Sequence, residues 1–170
     1  MRTFIAIEIP EKIKKEIVKI QKQLPEFKGK LTESENLHLT LKFLGEVDEK
    51  TLSEIKKKLK QIKTKKFEAK INSLGMFSDR IVWLNMRNCN ELQKEVDEKL
   101  SEFFEKEKRF MGHLTIARIK ELDERKKFLE KIKKIKIPEM NFLVESFSLK
   151  KSKLGRPGPV YGDIEVYSLK

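Results

Sequence analysis

The chain has 170 residues, 38% of them hydrophobic, enough for one large domain or for two small lobes sharing a core. Its only cysteine, Cys89, excludes an internal disulfide and a multi-cysteine zinc site, and no apolar run reaches membrane-spanning length. Lys and Arg outnumber Asp and Glu 39 to 27, a net charge of +12 that suits polyanionic partners such as nucleic acid, while a charged fraction of 39% equally suits a heat-adapted surface. With no secretory leader in view, a soluble cytoplasmic protein with no membrane partner is expected.

Taken in order, Thr3–Ile9 is apolar and partly β-branched, a strand closed by Pro10. Glu11 opens a helix with Ile13, Ile17, Ile20 and Leu24 on one face, ending near Pro25. Phe27–Leu31 reads as a short strand. Leu37–Leu44 is a strand closed by Gly45, after which Asp48 caps a helix carrying Leu52, Ile55, Leu59 and Ile62 inward. Phe67–Phe77 and Ile81–Met86 form a hairpin turned at Ser78-Asp79-Arg80, and a helix starting near Asn88 carries Leu92, Val96, Leu100 and Phe103. Phe110–Ile119 is the next strand, Asp123 begins a fourth helix that stops before Pro138, and Asn141–Leu149 and Val160–Leu169 are the last strands. Between them Lys150–Pro159 reads as a basic, turn-rich loop.

Both histidines of the chain sit in one repeated pattern, His38-Leu39-Thr40-Leu41 and His113-Leu114-Thr115-Ile116. A given His is followed by Leu, Thr and an aliphatic residue roughly once in a thousand times on average composition, so the second copy is not accidental. In a strand, His and Thr share one face and the aliphatic residues the other. The order strand, helix, motif strand, helix also occurs twice, over Thr3–Lys63 and Ile81–Lys136. An α+β fold is expected: two pseudo-symmetric lobes within residues 1–170, mainly antiparallel sheets lining a central cleft, helices outside, and the motifs facing each other.

Two imidazoles on opposite sides of one group suit paired general acid and base catalysis, since imidazole titrates near neutrality. In-line displacement at phosphorus needs this, because one oxygen loses a proton as the opposite oxygen gains one. Thr40 and Thr115 are placed to hydrogen-bond the phosphate oxygens, and Arg118 to add charge there. By strict alternation Arg118 faces away from His113, so its participation requires a bulge. Two histidines without a carboxylate or thiol cluster make a poor zinc site, and no glycine-rich phosphate cradle is present.

The paired motifs resemble those of the 2H phosphoesterase superfamily. Arg2–Pro10, Asn36–Gly45, and Ser152-x-Leu154 with Gly158-Pro159-Val160-Tyr161 are similar to the RNA 2′,3′-cyclic phosphodiesterase branch, also called 2′-5′ RNA ligase. That family often has Pro before the second His, where this chain has Met111-Gly112. The resemblance implies cofactor- and metal-independent opening of RNA 2′,3′-cyclic phosphate ends, tRNA fragments among them, to 2′-phosphomonoesters by a monomer. Replacing water by a 5′-hydroxyl implies ATP-independent, reversible 2′-5′ ligation. It further implies that His113 activates the water and His38 protonates the leaving 3′ oxygen, an order that the near-symmetric motifs themselves leave open. Lys151, Lys153 and Arg156 in the basic loop are candidate RNA contacts, as is Phe4 by analogy, with core packing the alternative for Phe4. The competing function is a non-catalytic module that holds RNA ends or nucleotides on the same fold.

Overall fold

The structure, a computed structural model, describes residues 1–156 and 158–170. In chain order the elements are β1 (Arg2–Glu8), α1 (Glu11–Lys22), β2 (Lys28–Leu31), β3 (His38–Glu46), α2 (Glu49–Leu59), β4 (Phe67–Ile71) and β5 (Leu74–Phe77). They continue as β6 (Ile81–Asn85), α3 (Asn90–Lys99), β7 (His113–Glu121), α4 (Arg125–Lys133), β8 (Met140–Val144), β9 (Ser146–Lys153) and β10 (Val160–Ser168). Two four-stranded antiparallel sheets form, with orders β10-β9-β1-β3 and β2-β7-β6-β5, and β4 with β8 makes a two-stranded ribbon.

The α+β architecture follows from the apolar faces. Ile5 and Ile7 of β1, Leu39 and Leu41 of β3, Val82 and Leu84 of β6, and Leu114 and Ile116 of β7 are buried in one continuous core. Helix stripes close it: Ile13, Ile17 and Ile20 from α1, Ile55 and Leu59 from α2, and Leu92 and Val96 from α3. Asp48 caps α2, accepting a hydrogen bond from the Thr51 amide at 2.7 Å.

The duplication is visible in the packing. Strands β3 and β7 have the same residue-by-residue sequence of buried and exposed positions. They pack directly on each other, and the halves are interlocked: α1 of the first half lies on β7, and α3 of the second lies on β3.

Two expected strands are each divided. The stretch Phe67–Phe77 breaks at Asn72-Ser73, because the Asn85 side-chain oxygen accepts from both of those amides (2.9 and 3.0 Å). Its amide nitrogen also donates to Asn72 Oδ1. The first piece then pairs with β8 and the second with β6. The stretch Asn141–Leu149 breaks at Glu145, whose carbonyl accepts the Leu169 amide, and β9 runs on to Lys153. The front of the expected basic loop is therefore strand, held in register by β1 and β10.

Candidate active site

Each motif strand contains a bulge just after its Thr. In β3, Thr40 opposes Ala6 and Lys42 opposes Ile5, leaving Leu41 unpaired; in β7, Thr115 opposes Trp83 and Ala117 opposes Val82, leaving Ile116 unpaired. An extra residue reverses the alternation. Phe43 and Arg118, each five positions after a motif His, thereby come round to the face that carries the His and Thr side chains. This is the bulge that the Arg118 expectation required. Arg118 acts electrostatically on both His38 and Tyr161, which sit on the other sheet.

The bulges are fastened from across the halves by buried polar groups. The Gln21 side chain of α1, 5% exposed, donates to the carbonyls of Ile116 and Thr32, each at 2.9 Å. The Ile116 carbonyl also accepts the Thr32 amide. On the other side, Lys42 pairs with Asp97 of α3 at 2.6 Å, with 2% and 5% of the side chains exposed. Lys42 also donates to the Glu105 carbonyl, and Asp97 accepts from Gln93 and from the Glu107 amide. Burial alone would raise the Asp97 carboxyl, but Lys42 and these amides outweigh it and hold it below its ordinary range.

Both imidazoles are set in the same tautomer. Each Nδ1–H donates to the carbonyl two residues upstream, His38 to Asn36 at 2.7 Å and His113 to Met111 at 2.9 Å. A carbonyl can only accept, so each neutral ring leaves Nε2 as its free lone pair. The Thr40 hydroxyl lies 2.9 Å from His38 Nε2. Asn36 is itself fixed, its side-chain amide donating to Glu33 and to the Pro159 carbonyl (3.0 Å). The C-terminal rim loop is thus tied to the carbonyl that orients His38.

The surroundings of the two rings differ. His38 sits between Phe4 (centroids 5.1 Å) and Tyr161 (5.2 Å, edge-on), and this burial lowers its pKa below the ordinary 6.5. The Asn36 carbonyl and Glu8 work in the opposite direction, while Lys150 and Arg118 add to the lowering. Lys150 is itself neutralised by Glu8 and by Asp163 (2.7 Å). His113 meets Phe77 edge-on at 5.1 Å and Trp83 at 6.5 Å. Gly112, the residue before His113, is a close approach: a Cβ there would collide with the Met86 carbonyl, and the Leu39 side chain of the other motif strand lies beside it. The backbone leading into His113 is therefore wedged between Met86, just past the end of β6, and Leu39 of β3.

His38 and Thr40 thus share one face of β3, and His113, Thr115 and Arg118 one face of β7, on two strands in contact with each other. Other sequence candidates fall elsewhere. Phe4 is 3% exposed and supports His38 from beneath, leaving no face for RNA. Register puts Lys150 on the face of β9 shared with Phe4, so Lys151 and Lys153 point to the opposite face. Arg156 is exposed in the rim loop. Phe43 was not singled out by sequence; it is 71% exposed and 6.2 Å from Phe4. Only the bulge, which alternation does not announce, turns it toward the site.

The profile of the LigT-like phosphoesterases matches the chain twice, over residues 7–83 and 85–161, once for each half. The chain belongs to the LigT-like phosphoesterase family. A Methanocaldococcus jannaschii protein named RNA 2′,3′-cyclic phosphodiesterase is 44% identical, over 95% of this chain and 96% of its own. An Archaeoglobus fulgidus protein of the same name is 35% identical, over 98% and 99%. Among solved LigT-like structures, Escherichia coli LigT complexed with 3′-AMP superposes with a TM-score of 0.81 at 25% identity, covering 99% of this chain and 97% of that one.

Proposed function

We propose that this LigT-like phosphoesterase opens the 2′,3′-cyclic phosphate at RNA ends to a 2′-phosphomonoester, using its two histidines as acid and base. The observation that carries this reading is the matched pair of rings, each held through Nδ1 by a backbone carbonyl, on strands that pack against one another. Water attacks phosphorus from the more open His113 side and gives its proton to His113 Nε2. On the enclosed side, the P–O3′ bond breaks and His38 gives the oxygen its proton. Each transfer contributes about 10²–10⁴-fold in rate. The lowered pKa of His38 in the free protein means that it takes up this proton as the anionic phosphate arrives, helped by Glu8 and the Asn36 carbonyl. Thr40, Thr115 and Arg118 hold the phosphate oxygens, and Phe43 receives the terminal base.

The names of the relatives support the RNA substrate, and the +12 charge supports attraction of a polyanion. The same proposal has the chain working as a monomer, without a metal or cofactor, on ends that include those of tRNA fragments. Incubation with 2′,3′-cAMP in excess chelator tests it. Accumulation of 2′-AMP is expected. Formation of 3′-AMP would overturn the assignment of the leaving oxygen, and binding without turnover would favour a module that merely holds RNA ends.

A further inference from the structure

The two motifs are alike in sequence, yet the residue two places before each histidine differs. Before His113 it is Met111, exposed and without a side-chain donor. Before His38 it is Asn36, buried at the end of one 3₁₀ turn, Ser34–Asn36. Its backbone is fixed by the turn: the Asn36 amide donates to the Glu33 carbonyl (2.9 Å), and the next side chain, Leu37, is sunk in the core. The side-chain amide has two hydrogens and two partners, the Glu33 carboxylate at 3.3 Å and the Pro159 carbonyl at 3.0 Å. Both partners can only accept, so asparagine is the one side chain of its size that serves both. Lys30 pairs with Glu33 and holds its carboxyl below the ordinary range, which keeps that acceptor ionised.

These contacts join the two sheets. Strand β2 pairs with β7, Lys30 opposite Arg118, and the Thr32 amide donates to the Ile116 carbonyl, so the segment leading to Asn36 is fastened to the sheet of His113. Pro159 belongs to the loop between β9 and β10 of the other sheet. Gly158 beside it lies so close to Lys30 and Glu33 that a Cβ would crowd the charged ends of both. The proline ring fixes φ, so holding its carbonyl also sets where the chain leaves for Tyr161, two residues on. There the Tyr161 ring meets His38 edge-on and Phe4 at 5.1 Å. We infer that Asn36 is a positioning residue for His38: its side chain latches the loop entering β10, which closes Tyr161 over the imidazole, while its carbonyl fixes the ring through Nδ1. This rests on the phosphodiesterase reading, in which His38 is the acid, and extends it. Met111 supplies a carbonyl to His113 but no latch, so the near-symmetric motifs acquire a held ring on the leaving-group side and an open one where water enters.

The chain has no histidines besides these two, so ring ¹⁵N NMR at alkaline pH reads each tautomer separately. In the unaltered full-length protein both neutral rings are expected in the Nδ1–H form, each donating to its carbonyl. Asn36→Leu keeps the approximate size and removes both donors. Gly158→Val pushes the loop off Lys30 and Glu33 from the other side, at a partly exposed position where the melting temperature is expected to change by no more than about 2 °C. It keeps the test decisive where the buried substitution fails to fold. In the folded variants His38 is expected to mix Nδ1–H and Nε2–H forms while His113 stays Nδ1–H, and kcat for 2′,3′-cAMP is expected to fall at least about tenfold. An unchanged His38 tautomer, an equal change in both rings, or an unchanged kcat overturns the proposal. Hydrolysis of 2′,3′-cAMP by the unaltered protein, measured alongside, separates the two readings. Its presence with any of these failures removes the latch alone, and its absence removes the phosphodiesterase reading and the role given to Asn36 together.

Discussion

Replacing Gln21 by Met tests whether a helix of one half aims Arg118 in the other. The substitution keeps the side chain's approximate volume and removes two buried hydrogen bonds, to Ile116 and Thr32. At about 0.5–1.5 kcal/mol net for each, the loss is about 1–3 kcal/mol. For a chain of this size that lowers Tm by about 2–12 °C, at roughly 2–4 °C per kcal/mol. The kinetic consequence is more specific. The Ile116 carbonyl marks the bulge that turns Arg118 toward His38, so loosening it removes part of what Arg118 supplies. Arg118→Met is expected to lower kcat/KM for 2′,3′-cAMP by about 10²-fold, as for the loss of one transition-state donor. Gln21→Met should lower it by a smaller factor in the wild-type background and by almost nothing in the Arg118→Met background. Thermal melts followed by circular dichroism and a four-way kinetic cycle give both answers. Equal kinetic losses from Gln21→Met in the two backgrounds would refute the link between this glutamine and the arginine.

Lys42→Met leaves Asp97 buried without its cation and is expected to cost about 3–5 kcal/mol in urea unfolding, much of it recovered by Asp97→Leu in the same chain; a cost below about 1 kcal/mol would contradict the buried pair's role. Because Asp97 is held below its ordinary 3.8 in the folded protein, its contribution is present above pH 3.8 and is lost as pH falls through the lower folded value. Acid unfolding of Lys42→Met should therefore begin at higher pH. Phe43→Ala is expected to raise KM for an RNA end at least about fivefold, with a smaller change in kcat; an unchanged KM would remove Phe43 from the base site. His38 is expected to titrate below 6.5 by NMR in the free protein, lower still in Glu8→Gln, and higher once 2′-AMP is bound. Its contribution to stability is then complete above pH 6.5 and declines as pH falls toward the folded pKa. A ring that titrates above 6.5 in the free protein would contradict the enclosure by Phe4 and Tyr161.

The parts of the site carried by regular alternation were legible in the chain. His38 with Thr40, and His113 with Thr115, follow from period two, and the helix stripes follow from their spacing. What alternation could not give are its interruptions. The bulges at Leu41 and Ile116 leave no mark in composition, so the exposure of Phe43 was invisible and Arg118 could be placed only conditionally. The break at Asn72-Ser73 depends on Asn85, a residue more than ten positions away that satisfies two amides at once. The tight fit of Gly112 against the Met86 carbonyl has no sign in the local sequence either. Gln21 and Lys42 looked like ordinary polar positions on a helix and a strand. Ile116, one of the partners of Gln21, and Asp97, the partner of Lys42, lie in the opposite half, and no local pattern announces a contact of that range.

The claim beneath the rest is that two imidazoles act on opposite sides of one phosphorus atom. Turnover of 2′,3′-cAMP by His38→Ala and by His113→Ala, each checked for intact folding, tests it most directly. Each variant is expected to lose at least about 10²-fold in kcat. Near-wild-type turnover by either one would contradict the account.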